Sequence, residues 1–297
     1  MQRGPVALIT GGCGGLGLAF ARRWLERGGT KVRLVDFAPA AAGAAAVRSL
    51  EETFGAGTAD FVRCDVTRTD ELAAAFGQEG DGGDLGLVVN NAGIVNYSDD
   101  LFLDWRRQLD VNVGAVLDGT RLAADAFERQ RESESGAADA AKADPVIVNV
   151  GSMAGLIPTP MMPVYTATKF SVVGFSRAMF VASRRKGYRV HALCPSFVDT
   201  GMINEERMTE TPSTRRGVDL FGGLMTPDAV ADALFTKVID DPAAKCVLRI
   251  TPHEGAAFDE PGMHPAEVPI RNALIKEDPI GFVKKLFGQK PPRRKKP

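Results

Sequence analysis

Cysteine is scarce in this 297-residue chain: Cys13, Cys64, Cys194 and Cys246 are scattered without a Cys-x-x-Cys pair. A chain of this length does not need disulfides to hold a core, so a reducing compartment fits the pattern best. Histidine is scarcer still. His191, His253 and His264 lack the carboxylate or cysteine spacing of a metal site, and no metal is expected. No run of about 18 apolar residues occurs, which argues against a transmembrane helix. The first apolar stretch, 6–9, breaks at once into glycines and is too short for the core of an export signal, so the expected location is cytoplasmic. Excess charge is absent too: the formal net charge of −1 gives no global attraction to nucleic acid and leaves only local basic segments to consider. There is no internal repeat.

What the chain does have is enough apolar sequence, 44 % of residues, to bury a full core. Short β-branched runs at 6–9, 32–35, 61–62, 87–89, 146–150, 190–193 and 247–250 read as buried strands. Between them, 16–27, 40–54, 70–76, 105–129, 164–185 and 227–239 carry apolar residues at helical spacing. Strand and helix alternate seven and six times. That predicts an α/β fold, a doubly wound parallel sheet with helices on both faces and ligands at the carboxyl ends of the strands. Segment 131–144 is polar and of low complexity and reads as a mobile loop. One catalytic domain over 1–255 is expected, followed by an irregular, Pro-rich and basic extension over 256–297.

The first strand runs into Thr10-Gly11-Gly12-Cys13-Gly14-Gly15-Leu16-Gly17, and a helical pattern opens at Leu16. Glycines there permit a tight turn and let backbone N–H groups at a helix N-terminus approach a pyrophosphate. Gly11, Gly12, Gly15, Leu16 and Gly17 are accordingly expected at a dinucleotide; without a ligand the same residues make a glycine-rich turn. Asp36 ends the second strand, where a carboxylate bonds ribose hydroxyls and repels a 2′-phosphate, favouring NAD over NADP. The other reading of Asp36 is a helix cap. Phe37, Asp65, Val66, Asn91, Ala92 and Gly93 follow carboxyl ends of strands and suit the adenine ring and its ribose; singly, each fits an ordinary turn. Pro195, Val198 and Thr200, after the sixth strand, are placed around the nicotinamide amide.

Tyr165 and Lys169 are four residues apart and project from one helix face. A phenol near its ordinary pKa of about 10 is a poor base, and an adjacent ammonium stabilises its phenolate. Tyr165 is the expected acid/base, and Ser152, 13 residues earlier, is placed to hold the substrate oxygen. Ser152 alone also fits a turn or cap. Asn112 sits in a helix interior, which Asn disfavours, so a polar role toward Lys169 through water and a solvated surface position both remain open. Cys13 has no paired base and reads as a small loop residue. Met161, Met162, Met202 and Met208 flank the expected cleft as flexible contacts or as packing.

The glycine loop, Asn90-Asn91-Ala92-Gly93, Asn112, Ser152, Tyr165 and Lys169 together resemble the short-chain dehydrogenase/reductase family over roughly residues 5–250. The resemblance implies a Rossmann fold of seven parallel strands ordered 3-2-1-4-5-6-7, and homodimers or homotetramers built through the two long helices. Ser196 departs from it, since the family usually has Gly after the Pro; a small tilt of the backbone is expected. Narrower segments, 34–37, 154–158, 163–165 and 194–198, resemble the 15-hydroxyprostaglandin dehydrogenase-like branch. Members of that branch hold the substrate hydroxyl with a Gln where Met162 stands here. Met cannot donate that bond, which points to a more apolar substrate.

The expectation is therefore an enzyme that oxidises a secondary alcohol of a largely apolar small molecule with hydride transfer to NAD. Substrate contacts are assigned to Ser152, Met162 and Tyr165. Two alternatives stand beside it: an NADPH-type ketone or ketoacyl reductase, and an NAD-binding regulatory protein without turnover. The tail from Lys284 carries seven basic residues near Phe282, Leu286 and Phe287. A solvated end fits it better than contact with an anionic membrane.

Overall fold

The structure, a computed structural model, describes residues 5–77, 83–96, 100–134, 144–203 and 212–260. The basic tail, His264, Met208 and most of the segment read as a mobile loop (135–143) lie outside the described residues; 131–134 are helical.

Eight strands form one sheet in the order β3-β2-β1-β4-β5-β6-β7-β8. They are β1 (Val6–Thr10), β2 (Lys31–Asp36), β3 (Ala59–Arg63), β4 (Leu85–Asn90), β5 (Val146–Val150), β6 (Arg189–Pro195), β7 (Val247–Thr251) and β8 (Gly255–Phe258). The first seven are parallel, as expected. The count of seven is corrected to eight, because β8 folds back antiparallel on β7 with Ile250 opposite Ala256. Gly-Ala-Ala-Phe has neither β-branched residues nor alternation, so it carried no strand signal. It also moves ordered chain past 255, into what was expected to be irregular; the compact unit ends at Asp259.

Strand side chains alternate between two cores. Ala7, Ile9, Val32 and Leu34 pack with α1 (Gly15–Glu26) and α2 (Ala40–Phe54), while Leu8, Val35 and Val88 pack with α3 (Thr69–Gly77) and α5 (Ala115–Glu134). Both faces of the sheet are thus covered, which is why its strands read as continuous apolar runs. Arg189, buried in β6, donates to the carbonyls of Val238, Ile239 and Asp241 and so satisfies the end of the helical segment that covers β7.

The stretch expected as one helix over 105–129 is interrupted. α4 (Trp105–Leu109) passes through a π-turn, Asp110–Gly114, before α5 begins. An extra residue in a turn frees backbone groups and rotates the side chains beyond it, a device common at functional sites. Asn112 lies inside that turn and is fully buried. Its Oδ1 accepts from Ile94 N at 2.8 Å, and its Nδ2 donates to Ile94 O at 2.8 Å and to Thr168 Oγ1 at 3.2 Å. Asn112 is therefore neither solvated nor bonded to Lys169 directly. It clamps the loop after β4 onto α6 (Pro163–Arg184).

His191 is wholly buried in β6, with Nδ1 3.0 Å from Lys245 O and its ring edge-on to Phe180. The carbonyl accepts, so Nδ1 carries the proton. Burial pushes its pKa down to about 4.

Two predictions follow from these buried groups. Between the ordinary His pKa of about 6.5 and the folded value, the unfolded chain binds a proton that the folded chain refuses. Stability is whole above that window and falls as the pH drops through it, by roughly 3 kcal/mol. His191→Asn, uncharged at every pH, should flatten this slope in denaturant titrations at several pH values; an unchanged slope would show that other groups govern it. Asn112→Ala leaves the Ile94 N–H and C=O without partners and should cost about 2–4 kcal/mol in the same titrations; a loss below about 0.5 kcal/mol would contradict the clamp.

Candidate active site

A cleft of about 830 Å³ opens along the carboxyl ends of the parallel strands. Its wall includes Gly11, Gly15, Leu16 and Gly17 of the first turn, Asp36 and Phe37 after β2, and Asp65 and Val66 after β3. Asn91, Ala92 and Gly93 follow from β4, and Pro195, Val198 and Thr200 from β6. Ser152, Met162, Tyr165 and Lys169 belong to the same wall. The topology thus brings together nearly all the residues singled out from sequence. Asn112, buried behind the loop at Ile94, stands outside the wall, and so does Gly12: it packs against Leu34, where a Cβ would stand 2.9 Å from the Leu34 Cα. Gly14 takes its place.

The glycine turn is as tight as its sequence implies. Gly11 has φ +61°, and a Cβ on Gly17 would sit 2.2 Å from the Gly11 carbonyl oxygen. The first turn of α1 can close under the loop only because position 17 has no side chain. Asn91 secures the loop from behind, donating through Nδ2 to the carbonyls of Thr10 (3.0 Å) and Gly11 (3.1 Å). Thr10 Oγ1 accepts from the N–H groups of Asn91 and Ala92. The side-chain donors of Asn91 are thus engaged within the protein.

Asp36 accepts from Cys13 N at 2.9 Å and Ala38 N at 3.0 Å, which holds its carboxylate between the loop and α2. Arg33 is turned away, buried in a fork with Asp60. Arg63, opposite Asp36 in the ladder, lays its guanidinium 5.3 Å from the Phe37 ring. Asp65 accepts from both Thr67 N and Thr67 Oγ1, which holds its carboxyl below the usual range. Burial pushes the Cys13 thiol up to about 11, which keeps it protonated and unreactive at neutral pH.

At the other end of the cleft three side chains converge. Ser152 stands in extended backbone and caps the short 3₁₀ turn Met153–Gly155, its Oγ accepting from Ala154 N at 3.1 Å. That leaves the hydroxyl hydrogen free to donate to the Tyr165 phenol. Lys169 is buried, with Nζ 2.9 Å from Val150 O and 5.5 Å from the centre of the Tyr165 ring. Burial drives the two groups toward their neutral forms. It raises the phenol to about 12 against the opposing Ser152 bond, and lowers the ammonium to about 8.

Beyond Tyr165 the wall becomes apolar: Ile157, Met162, Phe197, Met202, Leu220 and Phe221. Leu220 ends α7 (Pro212–Leu220), and Phe221 packs edge-on against Phe197 at 5.8 Å. Helix α7 was not anticipated. Its only sequence signal is a polar helix-compatible run after Pro212 whose apolar residues lie outside any helical repeat. Ser196 also lines the cleft, donating its N–H to Ile250 O at 2.9 Å.

The family model for short chain dehydrogenase matches residues 5–211. The chain is 33 % identical to the 15-hydroxyprostaglandin dehydrogenase [NAD(+)] of Homo sapiens over 86 % of its own length and 94 % of the relative's. It is 34 % identical to 2-(S)-hydroxypropyl-CoM dehydrogenase 3 of Xanthobacter autotrophicus, over 81 % and 92 % of the two chains. Among solved structures, a 3-ketoacyl-(acyl-carrier-protein) reductase from Brucella melitensis complexed with NADH superposes with a TM-score of 0.68 at 26 % identity, covering 84 % of this chain and 97 % of that one. With its parallel sheet, glycine turn and Ser152, Tyr165 and Lys169 gathered on one wall, the chain belongs to the short-chain dehydrogenase family and is an oxidoreductase of CH–OH groups.

Proposed function

We propose that this enzyme oxidises a secondary alcohol of a largely apolar small molecule to the ketone, with NAD as its cofactor. The observation that carries the reading is the gathering of Ser152, Tyr165 and Lys169 on one wall of the cleft, with the Lys169 Nζ 5.5 Å from the centre of the Tyr165 ring. The glycine cradle, where a Cβ at position 17 would collide with the Gly11 carbonyl, fits a dinucleotide pyrophosphate. When bound, the nicotinamide ring supplies the acceptor for hydride from the carbinol carbon. Ser152 holds the substrate oxygen beside the phenol, and ionised Tyr165 takes the hydroxyl proton as the C–H bond breaks. Lys169 favours that ionised form by its charge. Pro195, Val198 and Thr200 bound the nicotinamide end, and Asn112 acts by holding the loop at Ile94. The apolar wall from Ile157 to Phe221 supports an apolar substrate.

Asp36 supports NAD, since its carboxylate suits ribose hydroxyls and repels a 2′-phosphate. Arg63 over Phe37 favours the second reading, an NADPH-linked reductase, because its cation lies beside the same position. The exposed Leu117 on α5 and Phe170 on α6 support a homodimer or homotetramer built through those helices.

Initial rates with a panel of secondary alcohols and either cofactor test the reading. Tyr165→Phe should lower kcat/KM by about 10²–10⁴-fold; cofactor binding with no turnover by the unsubstituted chain would instead favour the regulatory reading. Asp36→Ala should shrink the preference for NAD over NADP by roughly ten- to a hundredfold, and a preference for NADP in the unsubstituted enzyme would overturn the assignment. The Tyr165–Lys169 pair must lose one proton before a phenolate exists beside an ammonium, so oxidation should rise with pH through about 8 and ketone reduction should fall. In sedimentation velocity at micromolar concentration the chain should run as a dimer or tetramer; a monomer would refute the helix-face assembly.

A further inference from the structure

Among the described residues, four charged side chains border the cleft: Asp36, Asp65, Arg107 and Lys169. Three of them are engaged within the protein. Asp36 accepts from the N–H groups of Cys13 and Ala38, Asp65 accepts from Thr67, and Lys169 donates to the carbonyl of Val150. Arg107 is exposed and forms no hydrogen bond or ion pair with any described residue. It is the one charge on the wall that neither the fold nor the proton transfer uses.

Arg107 stands on α4 four residues before Val111, about one helical turn away, and both residues border the cleft. Val111 is buried and packs in one core with Cys64 and Val66 of the turn after β3. All three line the cleft and give this end of it an apolar floor. Asp65 lies near enough to Arg107 that, behind the Thr67 hydrogen bonds, the Arg107 charge helps hold its carboxyl below the usual range. Both Thr67 bonds end on Oδ1, so Asp65 Oδ2 takes neither. A phosphate in this place would meet the Asp65 carboxylate as well as the guanidinium, which makes the pair a poor anion site. The chemistry that fits is a flat heterocycle bearing an amino group. Its ring lies on the apolar floor, Asp65 Oδ2 accepts from the amine, and a planar guanidinium covers the open ring face. Adenine is such a ring.

We propose that Arg107 is a cofactor-binding residue whose guanidinium stacks on the adenine ring of the bound dinucleotide, on the side away from Cys64, Val66 and Val111. This rests on the dinucleotide reading of the cleft and holds for NAD and NADP alike, since both carry adenine. It accounts for a cation kept exposed and unpaired on a wall whose other charges are all engaged. The arginine loses rotamer freedom when it closes on the ring, so its contribution stays in the modest range of an exposed cation–π contact.

Adenosine, AMP and nicotinamide mononucleotide, titrated calorimetrically into the full chain, separate a contact with the base from one with a phosphate and need no turnover. Arg107 is exposed, so its replacement leaves the fold intact. Arg107→Met, which keeps the apolar stem and removes both charge and plane, should weaken adenosine and AMP by the same factor, about three- to tenfold, and leave nicotinamide mononucleotide unchanged. Arg107→Lys restores the charge without the plane and should recover only part of that loss. A loss confined to AMP would place Arg107 on a phosphate, and unchanged affinities would make it a solvated charge; either result would overturn the proposal. An equal loss for nicotinamide mononucleotide, full recovery in Arg107→Lys, or no binding of adenosine by the unsubstituted chain would overturn it as well. A preference for NADP, or no oxidation of any alcohol, would count against the function proposed above while leaving the adenosine result to decide the role of Arg107.

Discussion

The chemistry of this chain depends on how closely α6 approaches the turn after β5. A Cβ on Gly155 would lie 2.6 Å from the Lys169 carbonyl oxygen, so the 3₁₀ turn that Ser152 caps and the helix that carries Tyr165 and Lys169 are in backbone contact. Lys169 fastens the contact from the other side through its Nζ bond to Val150 O, at the end of the strand that leads into Ser152. One side chain thus ties the strand end to the helix that bears the phenol. Any larger residue at position 155 would push the helix out and separate Ser152 from Tyr165, because a backbone oxygen cannot swing aside as a flexible side chain can.

The same close packing creates an electrostatic problem. Burial raises Tyr165 and lowers Lys169, which is the opposite of what a phenolate beside an ammonium requires. The protein offsets part of this locally. The Ser152 hydroxyl stabilises the phenolate, and the Val150 carbonyl accepts from the ammonium at 2.9 Å. Cys194, directly below, adds no counter-charge: burial pushes its thiol up to about 12, so it stays neutral where a thiolate would hold Tyr165 protonated. The positive charge of an oxidised nicotinamide beside the phenol acts in the same sense as Lys169, so cofactor and lysine favour ionisation together.

The strands were legible because a sheet covered on both faces demands largely apolar residues, and 146–150 and 190–193 are buried over their whole length and depart from apolar only at Asn149 and His191. The motif residues were legible because parallel topology delivers every strand's carboxyl end to one edge, so a position just after a strand is already a position in the cleft. What stayed hidden depends on contacts distant in sequence. β8 exists because β7 presents an edge to it, since Gly-Ala-Ala-Phe has no strand preference of its own. The π-turn at Asp110–Gly114 shifts the helix by one residue, a change that apolar spacing over 105–129 absorbs without trace.

Asn112 and Gln108 show how the unpaired groups separate structure from chemistry. They lie one helical turn apart and both are buried, yet one has every polar atom engaged while the other leaves an oxygen without a donor. A fully bonded Asn holds two segments in register, and its removal is felt as lost stability. The open Gln108 oxygen holds no such pair of segments together. Ser196 also has a hydroxyl oxygen that is buried without a partner, and its residue lines the cleft, at the position where the family usually has no side chain at all. By contrast, the unpaired Nε2 of His191 lies inside the sheet and away from the cleft wall. Its remedy is protonation state rather than a ligand, since an imidazole held neutral by burial can leave one ring nitrogen bare at modest cost. An unpaired atom therefore points to a ligand only where its residue borders a cavity, and of Gln108, His191 and Ser196 it is Ser196 that belongs to the cleft wall.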